Sequence, residues 1–146
     1  MEPLRSGLVL VLVLCVAGSV QGQPPDVKER YKEFLRQHIR SSMTVDKCTG
    51  VVGYLELTER DGTTCKVVNT FIKASKKQVK QVCTSGTRVG DLVQSGTTFP
   101  LIICKYSGGK PTHPHCEYNG FRDTRYIKIA CDQGWPVHHG GDIIVV

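Results

Sequence analysis

The stretch CKVVNTFI, Cys65 to Ile72, decides how this chain is read. Its valines, threonine, phenylalanine and isoleucine suit a pleated, half-buried strand. In a strand, Lys66, Val68 and Thr70 project from one face and Asn69 from the other. Strand chemistry alone would make Thr70 and Asn69 packing residues. Upstream lies PPDVKERYKEFLRQHI, where Asp26 followed by Glu29 has the spacing of a capping box. Val27, Tyr31, Phe34, Leu35 and His38 then recur at helical spacing, so His38 falls on the buried stripe. A second, short helix is expected from about Lys47 to Tyr54, weakened by Gly50 and Gly53. Downstream, ASKKQVKQVC reads as a third helix. Val79, Val82 and Cys83 point inward, and Lys73, Lys76, Lys77 and Lys80 form a solvated basic face. After Gly86, the runs FPLIICKY, HCEYNGF, TRYIKIACD and VHHGGDIIVV read as strands, divided by SGGKP, NGFRD and DQGWP. Three short helices in the N-terminal half, packed on a bent antiparallel sheet, make an α+β domain.

The first residues set the compartment. MEPLRSGLVLVLVLCVAGSVQG places one arginine before an apolar run that ends in small residues, as in a secretory signal peptide. The run is shorter than the ~20 residues of a membrane-spanning helix. Cleavage after Gly22 would leave residues 23–146 as one secreted domain. It would also remove Cys15 and leave six cysteines, Cys48, Cys65, Cys83, Cys104, Cys116 and Cys131. Six cysteines in a small secreted chain read as three disulfides, with the pairing open. The formal net charge is +6, which favours polyanionic partners such as RNA, sulfated glycans or anionic envelopes. The histidines of THPHC, His113 and His115, stand beside Cys116, but no tetrahedral metal-ligand spacing appears there. The His113–Pro114 bond marks a turn, with cis geometry in reach.

Three segments in this order, Gln37-His38 in the first helix, Cys65-Lys66-Val67-Val68-Asn69-Thr70-Phe71 and Pro136-Val137-His138, resemble the pancreatic-type ribonuclease superfamily. The resemblance covers essentially all of residues 23–146. It is nearer to the three-disulfide angiogenin branch than to the digestive enzymes, which usually carry a fourth bridge. It implies the pairs Cys48–Cys104, Cys65–Cys116 and Cys83–Cys131. It also implies endonucleolytic cleavage of RNA 3′ of pyrimidines through a 2′,3′-cyclic phosphate, with weak to moderate activity.

The chemistry can be argued from the side chains. Cleavage by RNA's own 2′-hydroxyl needs a base, an acid and a fixed cation at the phosphoryl oxygens. Histidine titrates near neutrality and serves both proton roles, while lysine supplies the cation. The reading is therefore His38 as general base, His138 as general acid and Lys66 as transition-state stabiliser, with no metal or cofactor required. Gln37 would bind a phosphoryl oxygen and His139 would offer its backbone N–H. Thr70 would read the pyrimidine, with Asn69 positional, and Asp132 would help bind the second base.

The chain departs from the family at Gly140, where an aspartate usually orients the second catalytic histidine. The next acid, Asp142, is four strand residues or ~13 Å from His138, unless a bulge at Gly140-Gly141 shortens the path. Gly141 stands near the glutamine with which angiogenins block their pyrimidine pocket, so an open pocket is expected. Partners implied by the resemblance and the charge are RNA, heparan sulfate, a bacterial envelope, an endothelial receptor and ribonuclease-inhibitor-type proteins. The compact basic segment KASKKQVK also suits nuclear or nucleolar import after uptake. A monomer is expected. The rival reading is a basic host-defence or angiogenic ligand that does not need catalysis.

Overall fold

The computed structural model describes residues 25–138 and 142–146. The expected leader and its cleavage point, His139 and the bulge considered at Gly140-Gly141 lie outside the described residues. Among the described residues there are three α-helices, α1 Pro25–His38, α2 Cys48–Tyr54 and α3 Lys76–Ser85, with a 3-10 turn at Val45–Lys47 before α2. Among the described residues there are eight strands, β1 Val68–Ile72, β2 Thr87–Val89, β3 Leu92–Gln94, β4 Phe99–Gly109, β5 Cys116–Arg125, β6 Ile127–Asp132, β7 Trp135–Val137 and β8 Ile144–Val145, and the expected meander is broken by pairings of β1 with β4 and of β3 with β6. They form two antiparallel sheets. One has the order β1-β4-β5; the other has the order β2-β3-β6-β7, with β8 also paired to β6. The fold is α+β.

The expected helical stripe forms as read. Val27, Phe34 and His38 are buried, while Lys28, Arg30, Lys32 and Arg36 are exposed. Asp26 sits inside the first turn of α1 rather than capping it, where a carboxylate favours the positive end of the helix dipole. The capping box found by the structure belongs to α3. Ser75 accepts from the Gln78 backbone, and Gln78 reaches back to the Ser75 N–H. Val79 and Val82 enter a core with Phe34, Ile72, Leu101 and Ile127. A second core joins α2 to the other face of the β1-β4-β5 sheet through Val52, Phe71, Ile102 and Cys104.

Several strand readings change. NGFRD is not a turn: β5 runs straight through Asn119–Asp123. Gly120 is needed there for closeness, because a Cβ would lie 2.4 Å from the Val45 carbonyl oxygen and 2.9 Å from the Cys48 sulfur. The hairpin β2–β3 was not visible in the sequence, and its turn contains Gly90 at φ +62°. VHHGGDIIVV is not one strand. His138 follows β7, and β8 returns to pair with β6. Lys66 lies before β1 rather than within it, so the expected shared face with Thr70 is not how the two are related. The three disulfides are Cys48–Cys104, Cys65–Cys116 and Cys83–Cys131. With Cys116 in a disulfide, THPHC loses its thiolate ligand, and its His113–Pro114 bond is cis.

Candidate active site

His38 ends α1 against β1. Its Nδ1 lies 2.9 Å from the Thr70 carbonyl oxygen. A carbonyl only accepts, so Nδ1 carries the hydrogen and Nε2 keeps its lone pair. The bond thus sets the tautomer that a proton acceptor needs. Burial, with Lys66 nearby as the second cause, pushes the His38 pKa from its ordinary 6.5 down to about 3. The His138 ring stands parallel to the His38 ring, with centroids 5.4 Å apart and planes 11° from parallel.

Lys66 is brought in by a pinned loop. Cys65 is fixed by its disulfide, the Lys66 carbonyl accepts from the Tyr118 hydroxyl at 2.6 Å, and the Val67 N–H donates to Glu59 at 2.8 Å. The ammonium donates to Asn69 Oδ1 at 2.7 Å and to Gln37 Oε1 at 3.4 Å. Asn69 Nδ2 donates to the Gln37 carbonyl at 2.8 Å. Asn69 therefore ties lysine to helix end, as a positional residue would. Burial lowers the Lys66 pKa, while Asp142, Glu59 and Glu33 oppose that shift.

Two carboxylates complete the surroundings, and sequence reasoning missed the placement of both. Glu33, one turn before Gln37, accepts from Gln37 Nε2 at 2.6 Å and from both ends of the Arg36 fork at 2.7 and 3.1 Å. Those Arg36 bonds hold its carboxyl down to about 2. The i, i+4 spacing of Glu33 and Gln37 was the available signal. Asp142 takes both polar groups of Thr70. Its Oδ1 accepts the Thr70 N–H at 2.9 Å and its Oδ2 accepts the hydroxyl at 2.6 Å. Asp142 Oδ1 is also 4.0 Å from His38 Nδ1. The open pocket expected from Gly141 is thus corrected. Asp142, the next acid, fills the place.

A buried neutral imidazole, a second imidazole facing it and a fixed ammonium thus stand together. The profile of the pancreatic ribonuclease family matches residues 29–140. The chain belongs to the pancreatic ribonuclease family. Among its relatives, the Danio rerio protein Ribonuclease-like 3 is 38% identical over 142 residues, covering 94% of this chain and 95% of the relative. Angiogenin-4 of Mus musculus is 38% identical over 143 residues, covering 94% and 93%. Among solved structures, zebrafish RNase5 superposes with a TM-score of 0.77 at 45% identity, over 80% of this chain and 97% of that one.

His38, Lys66, His138, Gln37, Asn69 and Thr70 are linked in one cluster by these contacts. Asp132 lies apart, with its carboxylate 2.7 Å from Arg30. Of the expected basic patch, Lys76 and Lys77 are exposed, Lys73 is half-buried, and Lys80 leaves the solvated face to place its ammonium 4.2 Å above the Trp135 ring. His139 lies outside the described residues.

The depressed His38 pKa carries a stability prediction. Between pH 6.5 and about 3, the unfolded chain holds a proton on this residue that the folded chain excludes. Stability therefore falls as pH falls through that window. Glu33, held down to about 2, stays charged through its upper part. Urea midpoints are expected to drop between pH 6.5 and 4.5. His38→Asn should flatten that slope; an unchanged slope would contradict the assignment.

Proposed function

We propose that the protein is a secreted endoribonuclease that cleaves single-stranded RNA 3′ of pyrimidines without a metal or cofactor. Residues 1–22 act as its leader. The observation that carries this reading is the convergence of His38, His138 and Lys66, with the two rings 5.4 Å apart. The 2′-hydroxyl gives its proton to His38 Nε2 and attacks the phosphorus. His138 protonates the departing 5′-oxygen, and Lys66 with Gln37 meets the charge that grows on the phosphoryl oxygens. The product is a 2′,3′-cyclic phosphate, later opened by water. DNA lacks the internal nucleophile.

Thr70 supports the pyrimidine preference and also a restraint on the rate. A backbone N–H beside a hydroxyl matches the adjacent O2 and N3 of a pyrimidine. Asp142 makes those same two bonds in the closed chain. Base binding must displace it, which favours weak to moderate turnover. Poly(U) should be cut well ahead of poly(A) in excess EDTA. Equal rates, or no cleavage of either, would sink the reading.

The exposed Lys76 and Lys77 favour a second reading, binding to heparan sulfate, bacterial envelopes or an endothelial receptor as a monomer. Angiogenic or antibacterial action that survives loss of both catalytic histidines would assign those effects to binding. Nuclear import and capture by an inhibitor protein belong to the same set of surface proposals.

A further inference from the structure

We infer that Glu33 is a positioning residue of the reaction, one that fixes the Gln37 amide so that its NH2 end is presented to the phosphoryl oxygens. The inference rests on the ribonuclease reading, and it concerns a carboxylate that acts through Gln37 rather than on the substrate. Gln37 Nε2 lies 2.6 Å from Glu33 Oε1, and Gln37 Oε1 lies 3.4 Å from the Lys66 ammonium. A carboxylate only accepts and an ammonium only donates, so the amide takes one orientation alone.

The two contacts are unequal. At 3.4 Å the lysine bond is near the limit of a hydrogen bond, whereas 2.6 Å to a charged acceptor is short and strong. The hold on Gln37 therefore belongs to Glu33. It takes one of the two Nε2 hydrogens and leaves the other for a phosphoryl oxygen. The carboxylate is itself held from behind. Arg36 donates to its two oxygens at 2.7 and 3.1 Å, and Arg36 Nη1 also donates at 2.5 Å to the carbonyl of Leu55, the residue after α2. A chain of bonds thus runs from the end of α2 through Arg36, Glu33 and Gln37 to Lys66 and Asn69.

Helix spacing makes the arrangement possible. Arg36 and Gln37 follow Glu33 by three and four residues, so all three share a face of α1. As a surface ion pair alone, Glu33 and Arg36 would matter little, since both side chains are 43% exposed. The third partner changes that reading, because Gln37 stands directly before His38 and contacts Lys66. The paired Arg36 also offsets the charge of Glu33, which would otherwise repel the phosphate. Burial lowers the Lys66 and His38 pKa values, and Glu33 opposes both shifts, so its charge is felt at both groups.

The test is a mutant cycle on uridylyl-adenosine cleavage, with circular dichroism as the folding check. Glu33→Ala should lower kcat about 10-fold and change KM by less than about two-fold, a smaller loss than the roughly 10²- to 10³-fold of removing a preorganised donor. Glu33→Gln keeps an acceptor for Gln37 and should hold kcat within about three-fold of wild type. Gln37→Ala should cost at least as much as Glu33→Ala, and the double variant should be no slower than Gln37→Ala alone. Additive losses, or a Glu33→Gln protein as slow as Glu33→Ala, would overturn the inference. The Gln37 side-chain amide gives a readout without RNA. In proton–nitrogen NMR, Glu33→Ala should move its two proton signals towards those of a free glutamine, and Glu33→Gln should largely keep them in place. An amide unmoved by Glu33→Ala would overturn the inference whatever the activity. If the amide moves yet the wild-type protein cuts no RNA, Glu33 still fixes Gln37 and the ribonuclease reading is what fails.

Discussion

Replacing either His38 or His138 with alanine is expected to lower kcat/KM for a uridylyl-adenosine dinucleotide by about 10²- to 10⁴-fold. Lys66→Ala should lose a comparable 10²- to 10³-fold, since it removes one preorganised charge at the phosphoryl oxygens. The losses should appear mainly in kcat, because proton transfer and charge stabilisation matter most in the transition state. Combining the two histidine changes should cost less than the product of the single losses, as expected for residues that act as one unit. Stopped-point cleavage with product separation measures this, and circular dichroism checks that each variant folds. A His138→Ala variant with near wild-type kcat would remove the proposed acid.

Asp142→Ala is expected to act in the opposite direction and raise kcat/KM by about 10- to 100-fold. The closed chain holds Asp142 by two bonds to Thr70, at 2.9 and 2.6 Å. Bonds to a charged acceptor contribute roughly 1.5–3 kcal/mol each, and a pocket that is open only part of the time lowers apparent affinity by that fraction. The β8–β6 pairing at Lys128 and Ile144 remains in the variant, so the gain should fall short of full release. Asp142→Asn keeps an acceptor for the Thr70 N–H and should gain less. Opening also admits water to His38, so the acid limb of the pH–rate profile should move up towards 6.5 in Asp142→Ala, relative to the native chain whose His38 is held near 3. Unchanged or lower kcat/KM in Asp142→Ala would show that the clasp does not limit substrate.

The contrast between these residues shows what the sequence could carry. His38 was legible because a 3.6-residue stripe placed it inward, and Gln37 and Lys66 were legible through their neighbours in short motifs. The pairing of Cys65 with Cys116 needed the family, since spacing leaves many pairings open. Asp142 was weighed only as a partner for His138, along a straight strand or across a bulge, and its bonds to Thr70 were missed because they join residues 72 apart in the chain. NGFRD was misread because Asn-Gly usually marks a turn, but here Gly120 serves a close crossing over Val45 and Cys48. Lys80 was placed in solvent because helix periodicity says nothing of Trp135, which reaches it from a distant strand. In each case a local pattern was overridden by a contact between residues far apart in the chain.

Phosphorus NMR of the reaction on uridylyl-adenosine in excess EDTA tests the central claim most directly. The account predicts that uridine 2′,3′-cyclic phosphate appears first and then opens to the 3′-monophosphate, with the His38→Ala and His138→Ala proteins giving neither signal. A linear phosphate formed without the cyclic species, or activity that EDTA abolishes, would contradict it.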